Sequence, residues 1–343
     1  MMMDTVKTLC ALSGVSGWED EVRDYILERA LPLADQVETD ALGNLFVFKK
    51  GAVTPQQPVM VCAHMDEVGL IVTGYREGGF LRFAFVGGID RRVVIGKRVF
   101  LVPERVPGVI GLKAVHLTDE DEVKSKVPAL EDLYIDIGAE SEEQARAMVR
   151  LGWRGVFDNT IAEFGSGFIK AKALDDRVGC AAMLELLKED LPVDVWFVFT
   201  VQEEVGCRGA GVAAERINPE IALILEGTTA ADVGGVDNGQ EVCFLGRGVV
   251  IPYMDRGTIA HRESWEMVTA LADREKIPWQ VKEKIAGGTD ASAIQRRGFG
   301  AKVVTMSAPL RNIHSPASVG KISDIVLLPV LCRKVLEEIS HGC

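Results

Sequence analysis

Five apolar runs in this chain each stop at, or shortly before, an acidic residue or a histidine. Residues 58–63 (PVMVCA) stop at His64-Met65-Asp66-Glu67. Residues 168–174 (FIKAKAL) stop at Asp175-Asp176, and 195–202 (VWFVFTVQ) at Glu203-Glu204. Residues 221–225 (IALIL) stop at Glu226, and His314 lies shortly after 301–308 (AKVVTMSA). Short runs of this kind read as strands, and those that are apolar throughout read as strands buried on both faces of a parallel sheet. Helical patterns over 176–190, 262–276 and from the 320s to about 339 separate them. Strands alternating with helices give a mainly parallel sheet sandwiched by helices. Ligands of such sheets sit at the carboxyl ends of the strands.

Each cluster alone has an ordinary explanation. An Asp before a helix is usually an N-cap, a lone histidine usually a hydrogen-bonded turn residue, and a Glu pair usually a solvated strand end. Together, five clusters at one sheet edge are not surface decoration. Acids gathered at the end of a buried sheet repel one another unless cations neutralise them. Mixed imidazole and carboxylate donors suit two divalent cations a few ångströms apart, with one carboxylate bridging. The remaining histidines, His116, His261 and His341, read as structural or solvated.

A change of texture marks a second unit. Residues 69–162 are rich in glycine, β-branched residues and short turns, with one helical pattern at 141–151. They read as a small all-β barrel or sandwich inserted into the α/β domain formed by 1–68 and 163–343. In the first part, Ser16 and Glu19 have capping-box spacing, opening a helix to about Leu31. Residues 36–50 read as a hairpin. Pro329 falls inside the last helical pattern, where a kink is expected.

The 343 residues suffice for two or three domains, with 48% hydrophobic and 26% charged residues. The net charge of −12 disfavours nucleic acid and anionic membranes as partners. Nothing in the sequence reads as a membrane span or a signal peptide. The seven cysteines are odd in number and form no CxxC pair. They read as reduced thiols of a cytoplasmic protein, neither a disulfide framework nor a Cys-ligated zinc site.

The ordered set Ser16-Gly17-x-Glu19, Asp40-Ala-Leu-Gly43-Asn44, His64-Met-Asp66-Glu67, Leu174-Asp175-Asp176-Arg177-x-Gly179, Glu203-Glu204-x-Gly206, Gly287-Gly288-Thr289-Asp290-Ala291 and Ile313-His314-Ser315-Pro316 resembles the M42 metallo-aminopeptidases. These include the glutamyl and tetrahedral (TET) aminopeptidases, and the resemblance spans nearly the whole chain. It implies a zinc-exopeptidase-like α/β fold with a PDZ-like β insert, and a site holding two Zn²⁺ or Co²⁺ ions. By the same resemblance Asp175 bridges the ions. His64 and Glu226 hold one, and Glu204 and His314 hold the other. Glu203 is then the general base, and Asp66 orients His64. Asp176 is left between supporting the ligands and anchoring the next turn with Arg177.

The implied activity is removal of N-terminal residues from short peptides, by subunits that dimerise through the insert and build dodecamers. Two departures stand out: Glu226 where many relatives carry Asp, and Gly246-Arg247-Gly248-Val249 without the proline common after the second glycine. The competing readings are a related dinuclear hydrolase (carboxypeptidase, deacylase or endoglucanase-like) and a non-catalytic metal-binding assembly subunit.

Overall fold

The computed structural model describes residues 1–118, 127–237 and 240–342. Its main sheet has eleven strands, and nine of them follow in one path from edge to edge. Gln36–Thr39 and Leu45–Lys49 form one edge, followed by Val195–Thr200, Val59–His64, Ile221–Thr229 and Lys302–Arg311. Ser318–Lys321, Phe168–Ala171 and Ala162–Phe164 complete the other edge. The four middle strands pair in parallel and the flanking ones antiparallel. The expected parallel sheet therefore occupies the centre of a mixed one.

The central strands show why the apolar runs were continuous. In Val59–His64 all six residues are buried. Val59, Val61 and Ala63 join the core on one face, and Met60 and Cys62 join the core on the other. Ile221, Leu223 and Leu225 alternate with Ala222 and Ile224 in the same way. A strand covered on both faces has no solvent side to mark with polar residues. The first face carries the helices Met2–Ala11, Leu174–Leu186 and Leu327–His341. The second carries Arg208–Ile217 and Ala291–Ile294.

The glycine-rich region forms a closed six-stranded barrel. Its ring order is Arg154–Phe157, Gly69–Tyr75, Leu81–Val86, Tyr134–Asp136, Val106–Gly111 and Arg98–Val102. It has a core of its own around Leu70, Val72, Leu81, Phe83, Leu101, Ile110 and Ile135. The helix Glu142–Met148 closes onto that core through Ala145.

Three local expectations are corrected. Ser16 and Glu19 form no capping box: the helix is Asp20–Ala30, without a side-chain cap at Glu19. Ser16 is buried beside Glu67 and spends its hydroxyl on Asp66, and Glu19 accepts from the amides of Gly17 and Gln202 (2.7 and 3.2 Å). Pro329 does not kink a helix. The chain breaks between Ile322–Ile325 and Leu327–His341, which leaves Pro329 in the first turn of the latter, where its missing N–H has no intrahelical partner to lose. Glu226 does not end its strand, because Ile221–Thr229 runs on past it, paired throughout with Lys302–Arg311.

Six cysteines are free and Cys207 alone is partly exposed, and Cys343 lies outside the described residues. Among the described residues no helix is long and apolar enough to cross a membrane.

Candidate active site

All seven candidate site residues converge at the carboxyl ends of the central strands and the loops beside them. His64 is the last residue of Val59–His64, and its ring is buried. Its Nε2 lies 3.3 Å from both Asp175 Oδ1 and Glu226 Oε1. His314, from the 312–316 turn, places its Nε2 3.4 Å from Asp175 Oδ2 and 3.2 Å from Glu204 Oε2. The two oxygens of Asp175 thus face two separate His–Glu pairs.

Each imidazole is fixed by its other nitrogen. His64 Nδ1 meets the Asp66 carbonyl at 3.1 Å, and His314 Nδ1 meets the Gly88 carbonyl, from the barrel, at 2.9 Å. A carbonyl can only accept, so each Nδ1 carries a proton, and Nε2 is the nitrogen that faces the carboxylates. The longer arm of Glu226 is accommodated by a fold back, with the Gly227 amide donating to its Oε1 (3.2 Å).

Asp66 is the hub beneath the site. Its carboxylate accepts from Ser16 Oγ (2.6 Å) and from the amides of Glu203 (2.9 Å) and Glu204 (3.2 Å). The same group lies 3.4 Å from His64 Nδ1, so one buried acid sets a ring and both glutamates. Asn44 locks the same turn: its Oδ1 accepts from Val201 N (3.1 Å) and its Nδ2 donates to Gly209 O (3.1 Å). A Cβ on Gly209 would meet Asn44 Oδ1 at 2.2 Å, which explains a glycine there.

Asp176 resolves as an anchor. It accepts from His64 N (3.2 Å) and from Gly179 N (3.0 Å), three residues on, in N-cap fashion. A Cβ at Gly179 would lie 2.5 Å from that carboxylate. The backbone is left-handed at Ala173, Gln202, Cys207 and His314, all non-glycine (φ 53°, 58°, 51° and 56°). Such residues persist only where the surroundings over-determine them, and they gather at functional sites.

The electrostatics show a site with too much negative charge. Burial, reinforced by neighbouring acids, pushes the Glu203 and Glu226 carboxyls well up and that of Glu204 up to about 8. Burial lowers the imidazoles, yet the facing carboxylates more than reverse this, and His314 rises to about 9. Burial also opposes ionisation of Asp175, but the two imidazoles hold its carboxyl well below the usual range.

The donor set fits metal. His64, Asp175 and Glu204 offer ligand atoms within 4.8 Å of one another, as do His64, Glu226 and Asp176, although Asp176 already accepts from two backbone amides. Asp175 Oδ1 is buried without a well-formed hydrogen bond, an orphan that a cation would satisfy.

The loop 246–249 is tied to Asp324, which accepts from the amides of Gly246 (2.6 Å) and Gly248 (3.1 Å).

A model of the family described as M42 glutamyl aminopeptidase matches residues 43–328. The chain belongs to this family. As an M42 aminopeptidase it is a peptide hydrolase, and known proteins match it along almost all its length. A putative aminopeptidase of Acetivibrio thermocellus is 39% identical, over 94% of this chain and 95% of that protein. The solved aminopeptidase APDkam598 from the archaeon Desulfurococcus kamchatkensis superposes with a TM-score of 0.93 at 37% identity, covering 99% of this chain and 97% of that one. The TET1 peptidase of Pyrococcus horikoshii, which can assemble into a tetrahedron or a large octahedral shell, gives 0.86 at 34% identity, covering 98% and 100%.

Sequence reasoning named the seven residues but missed their supports. Ser16 was assigned to a helix cap, and Asn44, Cys207 and Asp290 were given no individual role. Ser16, Asn44 and Asp290 carried a signal, as members of motifs in the family resemblance, and Cys207 carried none.

Proposed function

We propose that this aminopeptidase holds two divalent cations, Zn²⁺ or Co²⁺, and removes N-terminal residues from short peptides. The observation that carries the reading is Asp175, whose two oxygens face His64–Glu226 on one side and His314–Glu204 on the other. In this reading those five residues would hold the ions, with Asp175 shared between them. Bound there, the ions would lower the pKa of a water between them and polarise the scissile carbonyl. Glu203 then takes the proton of the attacking water and returns it to the leaving amine nitrogen. Its raised proton affinity suits that exchange. Asp66 keeps the base in place through the Glu203 amide, and it keeps His64 in its tautomer.

Residues 1–68 and 163–343 form the catalytic domain in this reading, and the barrel within 69–162 serves dimerisation. A solved TET1 relative that forms a dodecamer supports assembly into dodecamers, and mass in solution tests it: a monomer at working concentration defeats the proposal. Six unpaired thiols suit the cytoplasm.

The decisive test is hydrolysis of a panel of amino-acid p-nitroanilides by chelator-stripped protein, before and after adding Zn²⁺ or Co²⁺. Release restored by metal, and only from substrates with a free amine, is the expected result. Hydrolysis that survives chelation, or of blocked substrates alone, sinks it.

Metal loading should also release protons. The facing Asp175 and Glu204 outweigh burial and push His314 up to about 9 without metal, which favours a protonated ring at pH 7. Binding a cation needs the neutral ring, so the proton leaves on loading, and affinity falls as the pH drops. Calorimetric titration in two buffers of different ionisation enthalpy reads this directly. Equal heats in both would contradict it.

A further inference from the structure

Beside the proposed metal pair lies a second group of donors that the mechanism leaves unused. Cys207 sits just before the helix Arg208–Ile217, and its Sγ donates to Glu203 Oε1 at 3.3 Å. Cys207, Glu203 and a carboxylate oxygen of Asp290 lie within 4.8 Å of one another. Asp290 is 1% exposed, and Thr200 Oγ1 and Cys62 Sγ engage its Oδ2 (2.5 and 3.6 Å). Its Oδ1 is buried with no hydrogen-bond partner. That unpartnered oxygen is independent of the thiol, and in a fully buried acid it calls for a donor or a cation.

We propose that Cys207, Glu203 and Asp290 form a third cation site, selective for thiophilic ions, whose occupation removes Glu203 from the reaction. One sulfur and two carboxylate oxygens around a tetrahedral ion stand about 3.3–3.8 Å apart, given metal–oxygen and metal–sulfur bonds of about 2.0–2.3 Å. The Cys207–Glu203 edge already has that length. Only Asp290 need approach, and solvent can supply the fourth position because Cys207 and Glu203 are both partly exposed. Binding displaces the thiol proton to solvent and leaves the thiolate on the ion. The three metal-pair carboxylates and both site imidazoles stay outside this group, so the pair and the third ion can coexist. The sulfur also sets the preference, since soft ions such as cadmium or excess zinc favour thiolate, whereas magnesium and calcium do not.

The inhibitory half of this proposal rests on Glu203 being the general base, and the experiment separates the two. Cobalt-loaded enzyme is titrated with Cd²⁺ while both the ultraviolet sulfur-to-cadmium charge-transfer band and p-nitroanilide hydrolysis are followed. In the wild type, one band per chain grows as hydrolysis falls more than tenfold. In Cys207→Ser the band is absent, and hydrolysis persists at the cadmium concentration that silences the wild type. No band in the wild type, a band of equal size in the variant, or equal loss of hydrolysis in both overturns the site. A band with hydrolysis untouched overturns the inhibition and counts against Glu203 as the base. An enzyme silent before cadmium is added fails the catalytic reading alone, because the band still reports the site.

Discussion

Replacing Glu203 by Gln is expected to lower kcat by about 10²–10⁴-fold, the usual contribution of a positioned general base, while both cations stay bound. Gln keeps the shape of the side chain and can still meet Cys207, but it cannot accept the proton of an attacking water. The backbone amide of Glu203, held by Asp66, is unaffected by the change. KM should therefore move little, because in the proposed mechanism the residue acts on the reacting water rather than on the ground state of the peptide. Steady-state kinetics with a p-nitroanilide, alongside metal content per chain, make the test. A kcat within tenfold of the wild type removes Glu203 as the base. Loss of metal together with activity would instead make Glu203 a ligand.

The second large effect is on stability. Removing the Glu67 carboxylate in Glu67→Ala is expected to cost about 3–5 kcal/mol, as for other buried ion pairs robbed of one partner. Glu67 accepts from Lys172 Nζ at 2.6 and 2.8 Å, from Arg177 at 3.3 Å and from the Gly14 amide at 3.1 Å. Lys172 and Arg177 are 3% and 0% exposed, so the substitution would leave two cations in the core with no acid between them. Burial already lowers the proton affinity of Lys172, and Glu67 is the largest opposing influence. Arg177 keeps only its bond to the Leu9 carbonyl (2.5 Å). The network clamps both ends of the segment that carries Asp175, so metal affinity should fall along with stability. Urea unfolding of metal-free protein measures the first effect, and metal titration the second. A loss of under about 1 kcal/mol would show that the two cations find water or other acceptors, against the burial seen here.

Much of the site was legible because its chemistry leaves few residue types. Apolar runs ending in His64, Asp175, Glu203, Glu204 and Glu226 violate the ordinary rule that buried strands carry no charge, and that violation marks function. What stayed hidden were contacts between residues far apart in the chain. Ser16 looked like a cap because capping is local, whereas its actual partner, Asp66, is fifty residues away. Cys207 read only as one of seven reduced thiols, and nothing local places it against Glu203 and Asp290. Pro329 read as a kink because the break before Leu327 leaves no local mark in an apolar run.

The sequence by itself determined the layered α/β sheet, a small β-rich insert readable as barrel or sandwich, and the list of candidate ligands. Those follow from periodicity, composition and residue type, which act over a few neighbouring positions. Only the tertiary structure decided that Asp175 faces two His–Glu pairs, that Asp176 anchors a helix, and that a barrel carbonyl orients His314. Those depend on distances of a few ångströms between segments up to 226 residues apart. Such distances are set by the packing of the whole core, and no stretch of the chain contains them.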